Sequence, residues 1–272
     1  MDFEVRYTED QEAFRMVFRG WLDEYAPQRV DVPPDGRPLS VEAQTQVKAF
    51  RRLLGEKGWL APSWPIELGG AGLHPSLETI IREELGRLEL PPLGDSRLWI
   101  PAMLVWGTDE QKKRYVGPAL RGETITWMAF NESASGTDLA SIRTEAFRDG
   151  NDYLINGSKA FITGRFDPDN LWTLVVTDHA RPPHLNLGIF MIDARSPGIT
   201  IKTQRLLVGS ERHVFFENVR VPTDNLVGTP YLGWEIAQSV LEGERGGIAF
   251  RVNDRGTVES VIEYLKEERQ QR

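Results

Sequence analysis

"ASIRTEAFRDGNDYLINGSKAFITG", residues 140–164, is where this chain changes its period. Apolar and polar residues alternate through it, and a repeat of two is the mark of a strand with one buried face. Two glycine-bearing breaks interrupt the alternation, "RDGND" at 148–152 and "NGS" at 156–158. Both read as turns, and Asn156-Gly157 between apolar alternations is a strong hairpin signal. More strand-like runs follow in "NLWTLVVTD" (170–178), "LGIFMIDA" (187–194), "GITIKTQ" (198–204) and "RHVFFENVRVP" (212–222).

On both sides of this block the period is helical. From Thr8 to about Ala26, Phe14, Val17, Phe18, Trp21, Leu22 and Tyr25 recur at steps of three and four. "VPPDGRP" (32–38) reads as a loop, because proline removes a backbone donor and fixes φ. Ser40 is placed to cap a helix through Val47, Phe50, Leu53 and Leu54, and Ser76 one through Leu77, Ile80, Ile81, Leu85 and Leu88. "GTDEQKKRYVGPALRGE" (107–123) starts another helix, with Thr108 or Asp109 as its cap. The helical period returns from Gly233, with Ile236, Val240 and Leu241, then Val258, Val261, Ile262 and Leu265. The pattern predicts an α+β multidomain chain: an N-terminal all-α domain over 1–122, a middle β-barrel-like or sandwich domain over 123–229, and the start of a C-terminal helical domain over 230–272. That last segment is too short for a bundle with its own core, so it must pack on something else.

Bulk properties narrow the function. The 272 residues contain no cysteine, which excludes thiolate nucleophiles and Cys-ligated zinc. A formal net charge of -8 disfavours a nucleic-acid binder. The four histidines, at 74, 179, 184 and 213, show no metal-ligand spacing. "MDFEVRYTEDQEAF" is not a signal peptide, and no apolar run approaches a membrane span, so the expected location is cytoplasmic. One loop stands out. "MAFNESASGTDLASIRTEA" (128–146) crowds Asn, Glu, two Ser, Gly, Thr and Asp between an apolar approach and a strand-like exit. Such clusters are ordinarily turns, and their donors also suit an oxygen-rich ligand.

Five blocks together resemble the acyl-CoA dehydrogenases, flavoproteins that desaturate acyl-CoA thioesters. They are "GWLAPSWPIELGGAGL" (58–73), "WGTDEQKKRYVGPALRGE" (106–123), "NESASGTDLASIRTEA" (131–146), "YLINGSKAFITG" (153–164) and "VFFENVRVPTDNLVG" (214–228). The third is similar to the family's signature loop, with Asn131 where a Ser or Thr is usual and Ser133 in place of a Pro. The resemblance implies FAD as cofactor. It implies that Met128 and Phe130 supply backbone and packing, and that Asn131 lies near the isoalloxazine edge. Gly136 would admit close backbone approach, and Thr137 would offer a hydroxyl to the pyrophosphate or the substrate. Phe161 matches an aromatic stacked on the flavin, and Thr163 a hydroxyl near its N5.

The reaction the resemblance implies needs a carboxylate to take the α-proton while the β-hydride passes to flavin N5. In "SVLEGERGGIAF" (239–250), Glu244 takes the position of that base in some members, beside Arg245, which would contact substrate; Glu242 is its competitor. The implied partners are an acyl-CoA substrate, an electron-transfer flavoprotein, and other subunits in a homo-oligomer or heteromer. Members usually continue into a C-terminal four-helix domain, of which this chain carries only the beginning. It therefore reads either as a piece of a longer enzyme or as a short subunit that needs a partner chain. Other readings are a non-catalytic partner subunit and an acyl-CoA oxidase or flavin monooxygenase relative.

Overall fold

The computed structural model of the protein describes residues 7–33, 38–88, 90–93, 97–135, 137–207, 209–245 and 266. Helices come first. Helix α1 (Glu9–Tyr25) begins at a capping box: Thr8 N–H donates to Gln11 Oε1 at 2.8 Å, and Thr8 Oγ1 accepts from Gln11 N–H at 3.3 Å. Helix α2 (Val41–Glu56) is capped by Ser40, as its sequence predicts. Helix α3 (Pro75–Gly86) starts two residues earlier than the Ser76 cap predicts. Pro75 has no N–H to lose and a φ already set for a first turn, so it opens the helix, and His74 Nδ1 accepts from Ser76 N–H at 3.3 Å. Phe18, Leu22, Phe50, Leu54, Leu60 and Ile81 close the core between these three helices.

Helix α4 (Trp99–Trp106) carries no amphipathic stripe, and periodicity does not reveal it. An all-round apolar helix is one that the fold buries, and Trp99, Ile100 and Met103 are indeed inside. Thr108 caps the short α5 (Asp109–Gln111), which widens into a π turn at Lys112–Val116 and then continues as α6 (Gly117–Leu120). Pro118, which cannot return an N–H to the ladder, sits just past the wide turn.

Among the described residues eight strands follow: β1 (Thr126–Ala129), β2 (Glu145–Asp149), β3 (Asp152–Ile162), β4 (Asn170–Val176), β5 (Leu187–Asp193), β6 (Ile199–Arg205), β7 (Ser210–Pro222) and β8 (Leu226–Val227). The sheet runs β6-β7-β3-β2-β4-β5-β8, with β1 added in parallel on β4. The β2–β3 hairpin turns at Gly150, with φ +63°. The second predicted turn is not one. β3 runs unbroken through Asn156-Gly157, and Gly157 (φ +137°) instead marks a register shift against β7. The same Asn-Gly pair that permits a hairpin also permits a bulge, and the long partner β7 decides between them.

β4 and β5 are buried on both faces, which explains their nearly continuous apolar runs. Leu171, Val175, Phe190 and Ile192 face the sheet interior. Trp172, Leu174, Leu187, Ile189 and Met191 face the helical side, where α4 and the last helix, α7 (Gly233–Arg245), meet them. The C-terminal segment thus finds the packing surface it needs: Ile236, Ala237 and Val240 bury in that core. Its start is pinned by Arg181 over the Tyr231 ring at 3.6 Å and by His184 against Trp234 at 4.2 Å. The predicted second helical stretch, around Val258–Leu265, lies outside the described residues. Among the described residues no helix is long and apolar enough to cross a membrane.

Buried carboxylates tie the elements together and set an acid limit. Burial pushes Glu84 up, but hydrogen bonds from Arg19 and Arg15 outweigh it and hold its carboxyl below the usual range. Glu78 behaves alike, with burial opposed by Ser63 and Arg82, and so does Glu132, with burial opposed by Lys159. A lowered folded-state pKa means the unfolded chain binds more protons below the ordinary carboxyl value of about 4.3. Stability from these groups is full above that pH and is lost as pH falls below it, through the lowered folded-state values. Thermal unfolding followed across pH 7 to 3 should show a flat region down to about 4.5 and then a steep fall.

Candidate functional site

The site residues predicted from the loop are built from the exit of β1 and the end of β3. β1 pairs in register with β4, Met128 beside Trp172, and leaves Met128 half-buried. Phe130, one residue past the strand, turns its side chain into the helical-side core. Asn131 is exposed, and its carbonyl accepts from Ala160 N–H at 2.9 Å. This bond sets the signature loop beside Phe161.

Phe161 is the unusual residue here. The β3–β7 register slips a second time between Lys159 and Ile162. Within that slip Phe161 takes φ +61° and remains 47% exposed, while Ala160 and Ile162 are buried. A left-handed backbone at a non-glycine residue costs about 1–2 kcal/mol, and a bulge of this kind re-aims a side chain. Thr163 follows it at the surface. The structure therefore brings Asn131 to Phe161, with Met128 and Phe130 at the strand exit.

Thr137 is exposed further along the loop. After it, Asp138 Oδ1 accepts from Ala140 N–H at 3.2 Å to cap a single 3-10 turn, Leu139–Ser141. Gly136 lies outside the described residues. Glu244 and Arg245 belong to the last turn of α7, and their side chains too lie outside the described residues, whereas Glu242 is exposed.

Two residues that motif reading does not single out hold this loop from beneath. Glu132 and Lys159 are both buried, and Lys159 Nζ donates to Glu132 Oε1 at 2.8 Å. Their signal is faint: Lys159 shares the strand parity of the buried Tyr153 and Ile155.

Close approach is also built in behind Thr163. A Cβ on Gly164 would stand 2.3 Å from Nε1 of the buried Trp127. Gly164→Ala must push that indole aside, and urea unfolding should show a loss of about 1–3 kcal/mol with a shifted tryptophan emission.

The residues present fit a flavin nucleotide. An aromatic ring is held out at a conformational cost beside exposed Asn131 and Thr163, and Thr137 is exposed further along the loop. Ser135 Oγ, in the same loop, is buried with no hydrogen-bond partner among the described residues. Clustered neutral donors of this kind take up a pyrophosphate without net positive charge.

Comparison with known proteins identifies the family. Residues 8–123 match the model of the acyl-CoA dehydrogenase N-terminal domain, and 128–219 that of the middle domain. The chain is similar to acyl-CoA dehydrogenase FadE29 of Mycobacterium tuberculosis, 34% identical over 79% of this chain and 57% of that protein. It is also similar to acyl-CoA dehydrogenase IpdE1 of the same organism, at 31% identity over 88% of this chain and 64% of that protein. It thus spans less than two thirds of the length of either relative. Among solved structures, the Tcur3481-Tcur3483 steroid ACAD overlays with a TM-score of 0.80 at 29% identity, covering 98% of this chain and 69% of that one. The ChsE4-ChsE5 complex of Mycobacterium tuberculosis overlays with a TM-score of 0.68 at 25% identity, covering 88% and 61%. Two consecutive domain models, relatives at about a third identity and the same helix-then-sheet architecture agree: this chain belongs to the acyl-CoA dehydrogenase family.

Proposed function

We propose that the chain binds FAD and an acyl-CoA thioester and takes part in α,β-dehydrogenation of the acyl group. The observation that carries this reading is Phe161, held exposed in a left-handed bulge and tied through Ala160 to Asn131 of the signature loop. An apolar ring kept at the surface at such a cost calls for a flat partner.

Bound FAD would supply the hydride acceptor. The remaining tasks fall to the chain itself. Phe161 would stack on the ring system, with Asn131 and Thr163 offering polar groups at its edge and Met128 and Phe130 supporting the strand exit. Gly136 and Thr137 would meet the phosphates, and Thr137 and Arg245 the substrate. Glu244 would take the α-proton. An electron-transfer flavoprotein is the proposed acceptor of the reducing equivalents.

The test is spectroscopic. The purified chain, mixed with FAD under anaerobic conditions, should retain a stoichiometric flavin band that bleaches on adding acyl-CoA. Retention without bleaching by any thioester would favour the second reading, a non-catalytic partner subunit. That reading has one observation behind it, the similarity to chains solved as the two-component ChsE4-ChsE5 complex. No retained flavin at all would count against FAD binding by this chain alone.

A further inference from the structure

Beneath the signature loop lies a polar centre almost closed to solvent. Lys159 is 0% exposed and Glu132 is 6% exposed. Lys159 Nζ donates to Glu132 Oε1 at 2.8 Å and to the Phe130 carbonyl at 3.0 Å. The same carboxylate accepts from Arg143 N–H at 2.8 Å through Oε2 and from Thr144 N–H at 2.9 Å through Oε1. One carboxylate thus ties the start of the loop, at 130–132, to its end, at 143–144. The ammonium ties both to β3, two residues before Phe161.

The exit is fixed further. Thr144 Oγ1 donates to the Ser158 carbonyl at 3.2 Å, and the Thr144 carbonyl accepts from Val176 N–H at 2.8 Å. Gly157 makes room for this crossing, since a Cβ there would stand 2.6 Å from Thr144 Cα.

A buried ion pair is a poor source of stability, because desolvating two charges offsets most of their attraction. A well-packed apolar pair would serve the core as well. What it would not do is gather three donors on one carboxylate, and that is a matter of loop geometry. Burial pulls Lys159 down, to about 8, and the Glu132 carboxylate opposes that pull.

We infer that Lys159 and Glu132 are a positioning pair: together they hold the two ends of the signature loop, at 130–132 and 143–144, in place to receive the flavin dinucleotide and keep Phe161 beside it. The inference rests on the FAD reading above. Neither residue is proposed to touch the ligand.

Two measurements on the full chain test it. The first is amide hydrogen exchange without FAD, which reports local opening. In Lys159→Met and in Glu132→Gln, the amides of Arg143, Thr144 and Ala160 should exchange at least about tenfold faster, as loss of a charge-assisted hydrogen bond implies. Amides of β4 and β5 should keep their wild-type rates. The second is titration with FAD followed by flavin fluorescence, in which both variants should bind about tenfold or more weakly. The double variant Lys159→Met with Glu132→Leu removes the pair without orphaning a charge, and covers the case in which a single variant does not fold. It should be folded, with fast loop exchange and weak FAD binding. Unchanged loop protection in folded variants would overturn the inference. So would a double variant with wild-type FAD affinity. If the wild-type chain binds no FAD, the FAD reading fails for this chain alone, and the exchange data still decide whether the pair holds the loop.

Discussion

Glu244→Gln is expected to leave FAD binding intact and to slow bleaching of the flavin by acyl-CoA by about two to four orders of magnitude, the usual contribution of a placed general base. Glu242, the competing acid, is exposed and serves as the comparison. Gln keeps the shape and hydrogen-bonding reach of Glu while removing its ability to accept a proton as carboxylate. Anaerobic stopped-flow reduction of the reconstituted protein separates the outcomes. A loss in Glu244→Gln with near-normal reduction in Glu242→Gln assigns the base. Equal reduction in Glu244→Gln and wild type removes Glu244 from that role.

What was legible in the sequence was mostly local. The caps at Thr8, Ser40 and Thr108 are short-range devices, and the helices start where they stand. Strands β3 and β7 follow their alternation for the same reason, whereas β4 and β5, buried on both faces, show only as short apolar runs. Asn156-Gly157 misleads because its local chemistry serves a bulge as well as a hairpin, and the choice lies with β7, some sixty residues away. Helix α4 is invisible to periodicity because every face of it is apolar. The site divides in the same way. The loop's small polar residues are conspicuous in composition, but their roles came from family resemblance. Lys159 and Glu132 carry little signal in the sequence because a lysine in a strand is normally at the surface, and only the three-dimensional closure of the loop brings its acid partner beneath it.

Arg51→Ala is expected to cost about 3–5 kcal/mol, the scale at which a buried charged network is broken. Arg51 is 2% exposed and lies where the helical elements hand the chain over to the sheet. Its Nη1 donates to the Leu93 carbonyl at 2.7 Å, and its Nη2 donates to the carbonyls of Ala119 and Thr124, each at 3.2 Å. Hydrogen bonds from a charged donor are worth about 1.5–3 kcal/mol each, and truncation to alanine leaves those carbonyls without them while also opening a cavity. The surroundings cannot close over the gap. Gly55 and Gly122 already bring backbone against backbone, such that a Cβ on Gly55 would stand 2.3 Å from the Arg121 carbonyl carbon and one on Gly122 2.5 Å from the Arg51 oxygen. Thr124 and Ile125 lead directly into β1, so the same loss should loosen the strand that delivers Met128 to the signature loop. Arg52→Ala, next door but exposed, is the control and should change stability by no more than about 0.5 kcal/mol. Chemical unfolding of the two variants side by side checks the argument: a small effect at Arg51 would show that water or a shifted backbone replaces its donors, and that the junction is not held by this guanidinium.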